Sequence, residues 1–252
     1  MNMTDLIYQH DAYTKSCDAT VINHTTDGIE LNQTVFYPMG GGQPGDTGML
    51  SKAGDPPCSI EIIDTRKSGE HNRVLHIPSQ DAPQLPVGSK VIAEINWPRR
   101  HRLMRVHSCL HLLSAVLPFP VTGGQVSDGK GRLDFDIPDS ILDKSHITDK
   151  LNALIESGHP ITSEFIDEAE LAAKPELIKT MAVKPPRGAG HIRLVRIKNL
   201  DLQPCGGTHV RSTDEISEVL ITKIKKKGRQ NRRVSLQLLG VQSEQATNSC
   251  RY

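Results

Sequence analysis

Two pairs of soft-metal donors constrain this chain more than anything else in it. Cys205 and His209 flank two glycines and a threonine in DLQPCGGTHV (201–210), and His107 and His111 flank Ser-Cys-Leu in HSCLH. Imidazole and thiolate donors at these spacings each supply half of a soft-metal site. If both halves hold one ion, a segment from the middle of the chain must meet a turn near its end. One thiolate and three imidazoles then form a tetrahedral set suited to one zinc ion (Zn2+) per chain. Each pair also has an ordinary reading. A lone H-x-x-x-H on a helix packs one ring and hydrogen-bonds the other, and a cysteine in a Gly-rich turn is often just buried. The glutamate that a zinc protease carries after its first histidine is absent, so that chemistry is excluded.

Hydrophobic periodicity divides the 252 residues into two parts. Up to about residue 92 the chain reads as short strands: TVFYP (34–38), CSIEIIDT (58–65) and KVIAEINW (90–97) are rich in β-formers or alternate apolar with polar. Turn signals separate them in GGGQPGDTG (40–48), AGDPP (53–57) and PSQDAPQLPVGS (78–89). That pattern predicts a β-barrel over residues 1–95. At Pro98 the period changes. Leu103, Val106, Leu110, Leu113 and Leu117 form a helical stripe, opened by Pro98 and closed by Pro118 and Pro120. His107 and His111 share one face of that helix. Glycines 123, 124, 129 and 131 read as turns, with a strand resuming in RLDFDI. A second amphipathic helix follows around Ile147, Leu151, Leu154 and Ile155, ended by Gly158. Then come a strand at ITSEFI, a helix over 167–179 broken at Pro175, a strand at HIRLVRI, and a hairpin about Gly228. The fold class is α+β, with a boundary near residues 93–97 and a mixed α/β zinc-binding domain over 96–252.

Composition narrows function by exclusion. Net charge is +1, so any nucleic-acid partner must be met by a local patch. Such a patch exists in Lys223, Lys225, Lys226, Lys227, Arg229, Arg232 and Arg233, seven cations around one hairpin tip. Arg99, Arg100, Arg102 and Arg105 have no acidic run beside them and extend the expectation of phosphate contact. Charge runs are otherwise usually solvated turns. Five cysteines without framework spacing point to a reducing compartment, and no apolar run approaches a membrane span, so a cytoplasmic address is expected. The glycines at 40–42 lack the Lys-Ser/Thr of a phosphate loop. They fit either a tight hairpin turn or a place where a partner approaches the backbone.

The segments RLMRVHSCLHLLSAV and HIRLVRIKNLDLQPCGGTHV, with FYPMGGGQPGDTG and WPRRHRLMR before them, resemble the editing domain of alanyl-tRNA synthetase and, more closely, the free-standing alanyl-tRNA editing proteins of the AlaX family. The resemblance covers nearly the whole chain. It implies an aminoacyl-tRNA hydrolase that deacylates tRNA(Ala) mischarged with serine, or glycine, in trans. It implies zinc ligands at His107, His111, Cys205 and His209. It carries a pocket glutamine onto Gln125 and a role in serine selection onto Gly40, Gly41 and Gly42, with Gln43 beside them. Thr208 reads equally as a group sensing the serine hydroxyl or as a turn residue. Ser108-Cys109 departs from the more frequent Thr-Ala, placing an oxidisable thiol beside the ligands. No class II aminoacylation core is expected, hence no ATP, and a monomer is the expected state. The alternatives are a non-catalytic zinc-stabilised tRNA-binding module and the editing of another mischarged tRNA.

Overall fold

The computed structural model describes residues 4–52, 58–69, 73–137, 142–178 and 191–240. The turn expected at 53–57 and the helix end expected at 179 lie outside them. The described residues group into two compact units, one up to His101 together with Gly206–Thr208, the other Arg102–Cys205 with the residues from His209 on.

In the first unit, β1 (Asp5–Leu6) runs into the one-turn helix α1 (Ile7–His10). Next come β2 (Ser16–Thr25), β3 (Gly28–Leu31), β4 (Gln33–Thr34), β5 (Gly48–Lys52), β6 (Cys58–Ser68), β7 (Arg73–Pro78) and β8 (Lys90–Ile95). Six of these close a barrel in the order β2-β3-β7-β6-β5-β8, while β1 pairs in parallel with β4. Strict alternation drives closure. Val91, Ala93 and Ile95 point inward from β8 and their neighbours outward, and they meet Val21, Ile29, Leu31, Leu50, Ile60 and Ile62 in one aliphatic core. Gly48 is dictated by this packing, since a β-carbon there would lie 2.1 Å from the Glu94 carbonyl oxygen.

The expected strand at 34–38 extends no further than Thr34. Val35, Phe36 and Tyr37 are buried, and side chains take up much of their backbone hydrogen bonding in place of a ladder. The Tyr37 amide donates to Asp46 Oδ2 (2.6 Å), and Arg100 Nη2 donates to the Val35 carbonyl (2.7 Å). Arg100 in turn clasps the Asp46 carboxylate, and both are buried.

α2 (Trp97–Val116) follows β8. In the second unit are β9 (Val121–Ser127), β10 (Lys130–Asp136), α3 (Lys144–Glu156), β11 (Ile161–Asp167), α4 (Glu168–Ala172), β12 (His191–Ile197), β13 (Asp201–Pro204), β14 (Val219–Lys226) and β15 (Asn231–Leu238). They form an antiparallel four-stranded sheet, β14-β15-β10-β9, and an antiparallel three-stranded sheet, β11-β12-β13. α2 is not a one-faced helix: every residue from Val106 to Ser114 is buried, the mark of a central helix. α3 behaves as its pattern predicts, burying Ile147, Leu151 and Ile155 and ending at Gly158 with φ +63°. Gly123 and Gly124 lie inside β9, not in a turn, and Gly131 lies inside β10. A β-carbon on Gly131 would stand 2.7 Å from Val106 Cγ1, so glycine here lets sheet and helix approach. Among the described residues no helix is long and apolar enough to cross a membrane.

Candidate metal centre

α2 and the end of β13 bring the two donor pairs together. His107, His111, Cys205 and His209 each offer one ligand atom, and these atoms all lie within 4.8 Å of one another. Cys205 Sγ lies 3.5 Å from His107 Nε2 and 3.3 Å from His209 Nε2. A tetrahedral zinc with bonds of about 2.0–2.3 Å needs donors roughly 3.3–3.8 Å apart. The two sulfur–nitrogen separations already match. The three rings crowd each other, with centroids 4.3–5.3 Å apart, an arrangement that an ion between them would hold.

The backbone aims the thiol. The Cys205 amide donates to the Arg193 carbonyl (3.0 Å), and Arg193 Nη1 donates to the Cys205 carbonyl (3.0 Å). The outer ring nitrogens are also tied. His111 Nδ1 sits 3.1 Å from Asp201 Oδ2, which also accepts from Gln203 Nε2 at 2.7 Å. His209 Nδ1 lies 3.1 Å from Ser108 Oγ, which accepts from the Val210 amide at 3.2 Å. Binding Nδ1 in this way leaves Nε2 as the inward donor, the arrangement metal-bound histidines usually show. A closed donor set of one sulfur and three nitrogens, with tautomers fixed from behind, fits zinc.

Electrostatics agree with that assignment. Burial works against a charged His111, but Asp201 and Cys205 outweigh it and push its pKa up to about 9. Burial likewise opposes the Cys205 thiolate, yet His107 and His209 hold its pKa well below the usual thiol value. His209 is driven well below the ordinary imidazole value, by burial first and by His107 next. Cys109 is different. It is wholly buried, and burial alone pushes its pKa up to about 12, so it is an inert thiol and not an oxidation-sensitive neighbour.

Asp201 and Gln203 were not singled out in the sequence, and Ser108 stood out there only as a departure from threonine, not as a support for His209. The signal for the first two was present: residues 201 and 203 lie two apart on β13, and both are buried while Leu202 and Pro204 are less so.

Gly40 to Gln43 form a closed turn. The Gly40 amide donates to the Gln43 carbonyl (3.1 Å) and the Gln43 amide to the Gly40 carbonyl (2.9 Å). Gly41 (φ +55°) and Gly42 (φ +83°) occupy the two central positions, where this turn type requires positive φ. The tight-turn reading of the glycine run is realised. Buried Gln43 grips Thr208 twice: its Nε2 donates to Thr208 Oγ1 (2.8 Å) and its Oε1 accepts from the Thr208 amide (3.1 Å).

Gln125 is not brought to the cluster. Its neighbour Val126 is buried and pairs with Gly131, which packs on α2, so Gln125 emerges on the opposite, exposed face and accepts from Arg132 Nε (3.1 Å). The arginines before the cluster are likewise engaged elsewhere. Arg100 is buried on Asp46, Arg102 pairs with Asp128, Arg105 Nε donates to the Ile216 carbonyl, and Arg99 Nη1 to the Gly45 carbonyl. In the hairpin, Lys223, Lys225, Lys226, Lys227 and Arg229 are exposed. Arg232 is buried, and Arg233 forms a bidentate pair with Asp134 at 2.7 Å.

Comparison with known proteins matches residues 192–235 to the family described as threonyl and alanyl tRNA synthetase second additional domain. Residues 6–99, largely the barrel here, match the family described as tRNA synthetases class II (A). The alanyl-tRNA editing protein AlaX-M of Methanosarcina acetivorans is 32% identical over 245 residues, covering 94% of this chain and 100% of its own length. That of Methanosarcina barkeri is 34% identical with the same coverage. The alanine–tRNA ligase of Saccharolobus islandicus is 33% identical over 233 residues, 88% of this chain and 25% of the ligase.

Proposed function

The chain belongs to the family of alanyl-tRNA editing proteins of the AlaX-M type, and from that premise we propose that it deacylates tRNA(Ala) mischarged with serine by hydrolysing the ester at the tRNA 3′ end, with Gly-tRNA(Ala) as a second candidate substrate to be assayed beside it. The carrying observation is the group of three buried imidazoles and one partly buried thiol whose donor atoms lie within 4.8 Å of one another, in a chain whose relatives bear that name. The proposal includes a cytoplasmic monomer that needs no ATP.

An aminoacyl ester is already activated, so the protein need only position it with a water and stabilise the developing oxyanion. His107, His111, Cys205 and His209 would hold zinc, which would anchor the pocket rigidly and would polarise the ester carbonyl where one donor yields its place. Four protein donors describe a closed site, which leaves orientation to the chain's own groups. Asp201 and Ser108 fix the rings of His111 and His209. Arg193 fixes Cys205. Gln43 locks Thr208, the residue covalently before His209. Choosing serine over alanine means sensing one hydroxyl. A pocket whose polar groups are committed to that hydroxyl leaves them unpaired when alanine enters, which discriminates strongly. The turn at Gly40–Gly42, Gln43 and Thr208 form one hydrogen-bonded group with the chemistry to do this. The exposed cations Lys223, Lys225, Lys226, Lys227 and Arg229 meet RNA phosphates.

The test is deacylation of Ser-, Gly- and Ala-tRNA(Ala), with Ser-tRNA(Thr) as the competing substrate. Release of serine but not alanine supports the proposal, and the glycine arm shows whether the smaller ester is also cleared. Preference for Ser-tRNA(Thr) would move the activity to another tRNA. Binding without any hydrolysis would leave a zinc-stabilised tRNA-binding module.

A further inference from the structure

The four-stranded sheet has two faces of opposite character. Gly131, Leu133 and Phe135 of β10 are buried, as are Val234, Leu236 and Leu238 of β15, and at Gly131 this face meets Val106 and Leu110 of α2. The alternate residues point the other way, toward solvent. Strand register sets them in rows. One row reads Lys223, Ser235, Arg132, Gln125, and the next reads Lys225, Arg233, Asp134, Gly123. On the far side of the first row stands Lys130, opposite Gln237 and Ser127. Neighbouring strands lie about 4.8 Å apart and alternate residues about 6.7 Å apart, so five cations share a patch roughly 15 Å on a side. The carboxylates of this face are Asp134 and Asp136, and Asp134 is already shared between Arg132 (3.0 Å) and Arg233 (2.7 Å). Lys225 lies directly opposite Arg233. Like charges facing each other across a strand pair destabilise a sheet, and a bound polyanion relieves that cost.

We infer that this outward sheet face, and not the hairpin tip alone, is a docking platform for the phosphate backbone of RNA, with Lys130, Arg132, Lys223 and Lys225 as its contacts. The inference rests on the proposed tRNA substrate and adds where the body of that substrate is held. The composition of the face favours RNA over a membrane. Leu220, at the edge strand, is its one exposed large hydrophobic side chain among the described residues, whereas membrane-docking faces carry several. Gly123 and Ser235 keep the surface low. Gln125, Gln237 and Ser235 offer donors and acceptors suited to ribose 2′-hydroxyls, which RNA-binding surfaces exploit. Gln125 thereby acquires a role consistent with its position, as a sugar contact and not a pocket residue.

The experiment measures equilibrium binding of deacylated tRNA(Ala) to the zinc-loaded full-length chain between about 50 and 200 mM salt, the range over which phosphate contacts show themselves. The triple variant Lys130→Gln/Lys223→Gln/Lys225→Gln is compared with Lys144→Gln/Lys150→Gln, which removes two exposed cations from α3 in the same unit. The expected result is a salt slope smaller by roughly 3 in the triple variant, at about 1 per lost phosphate contact, with affinity at least about tenfold weaker near 0.1 M salt. The KM for acylated tRNA rises in parallel, and the α3 variant binds as the natural chain does. An unchanged slope and affinity in the triple variant overturns the inference, as does an equal loss in the α3 variant. Loss of binding to phosphatidylserine vesicles with tRNA binding intact assigns the face to a membrane and also overturns it. If no ester is hydrolysed, the proposed activity fails while the binding arm still decides this inference.

Discussion

Asp201→Asn probes the cluster without touching a ligand. Asp201 Oδ2 holds His111 Nδ1 at 3.1 Å and Gln203 Nε2 at 2.7 Å, and the side chain is fully shielded from water. Replacing such an outer carboxylate typically weakens metal binding 10–100-fold. Three features place this site in the upper part of that range. The charge is removed where little water can compensate. One of the two oxygens becomes an NH2 that cannot accept from Gln203. His111 also loses the partner that selects Nε2 as its inward donor. An affinity lower by about 30–100-fold is therefore expected, or roughly 2–3 kcal/mol at 1.4 kcal/mol per decade. The assay is zinc competition against a chromophoric chelator at pH 9, near the His111 pKa, where proton competition is modest. Thermal unfolding of the metal-free variant runs beside it, so that a general loss of stability is seen separately. A zinc affinity within threefold of the natural chain, with His111 still ligating, would refute the reasoning that Asp201 orients this donor.

Three further outcomes follow from buried groups. Asp46→Asn leaves the buried Arg100 guanidinium without its counter-charge and is expected to cost about 3–5 kcal/mol, read by urea unfolding; a loss below 1 kcal/mol would show that the pair is dispensable. His76 is a neutral core histidine that donates from Nδ1 to the Ile29 carbonyl (2.9 Å) and accepts at Nε2 from Thr34 (2.8 Å), and burial lowers its pKa from 6.5 to about 4. Because the folded value lies below the unfolded one, its contribution is complete above pH 6.5 and is lost as pH falls toward 4, to a total of roughly 3 kcal/mol; unfolding of His76→Gln should depend less on pH across that window than unfolding of the natural chain. Gly48→Ala drives a β-carbon to within 2.1 Å of a backbone oxygen and should prevent the barrel from closing, whereas Gly41→Ala, with nothing within 4 Å and φ +55°, should cost only about 1 kcal/mol; equal solubility and stability of the two variants would contradict the packing described.

What was legible in the sequence was local. The barrel announced itself in the alternation of KVIAEI, α2 in its helical period, and the centre in two donor pairs whose residue types have few other uses together. What was not legible depended on pairing between distant segments. GGQV reads as a turn because glycine is common in turns, yet Gly124 and Gly131 are strand residues whose missing side chains accommodate Leu133 Cδ2, 2.9 Å from a β-carbon on the first, and Val106 Cγ1. The pocket role that the resemblance carried onto Gln125 fails on the same strand, since a residue in a strand has one of two faces and Gln125 takes the exposed one. Arg100 misled for a related reason. Its counter-ion, Asp46, lies in the glycine-rich loop, out of reach of any helix-spacing rule.

Parity within a strand is a stronger guide than spacing in a loop. Once Cys205 is taken as a ligand at the end of a strand, Gln203 and Asp201 must share one face of that strand, because strand side chains repeat every two residues. A carboxylate and a carboxamide buried together on that face need partners. The nearest chemistry requiring both is the outer nitrogen of an imidazole that holds a metal. The DLQPC segment thus encodes the support of the site as well as the ligand. By the same parity Leu202 is excluded from it, which is why the site consists of alternate residues and why its polar members could lie beside aliphatic ones without betraying themselves in composition.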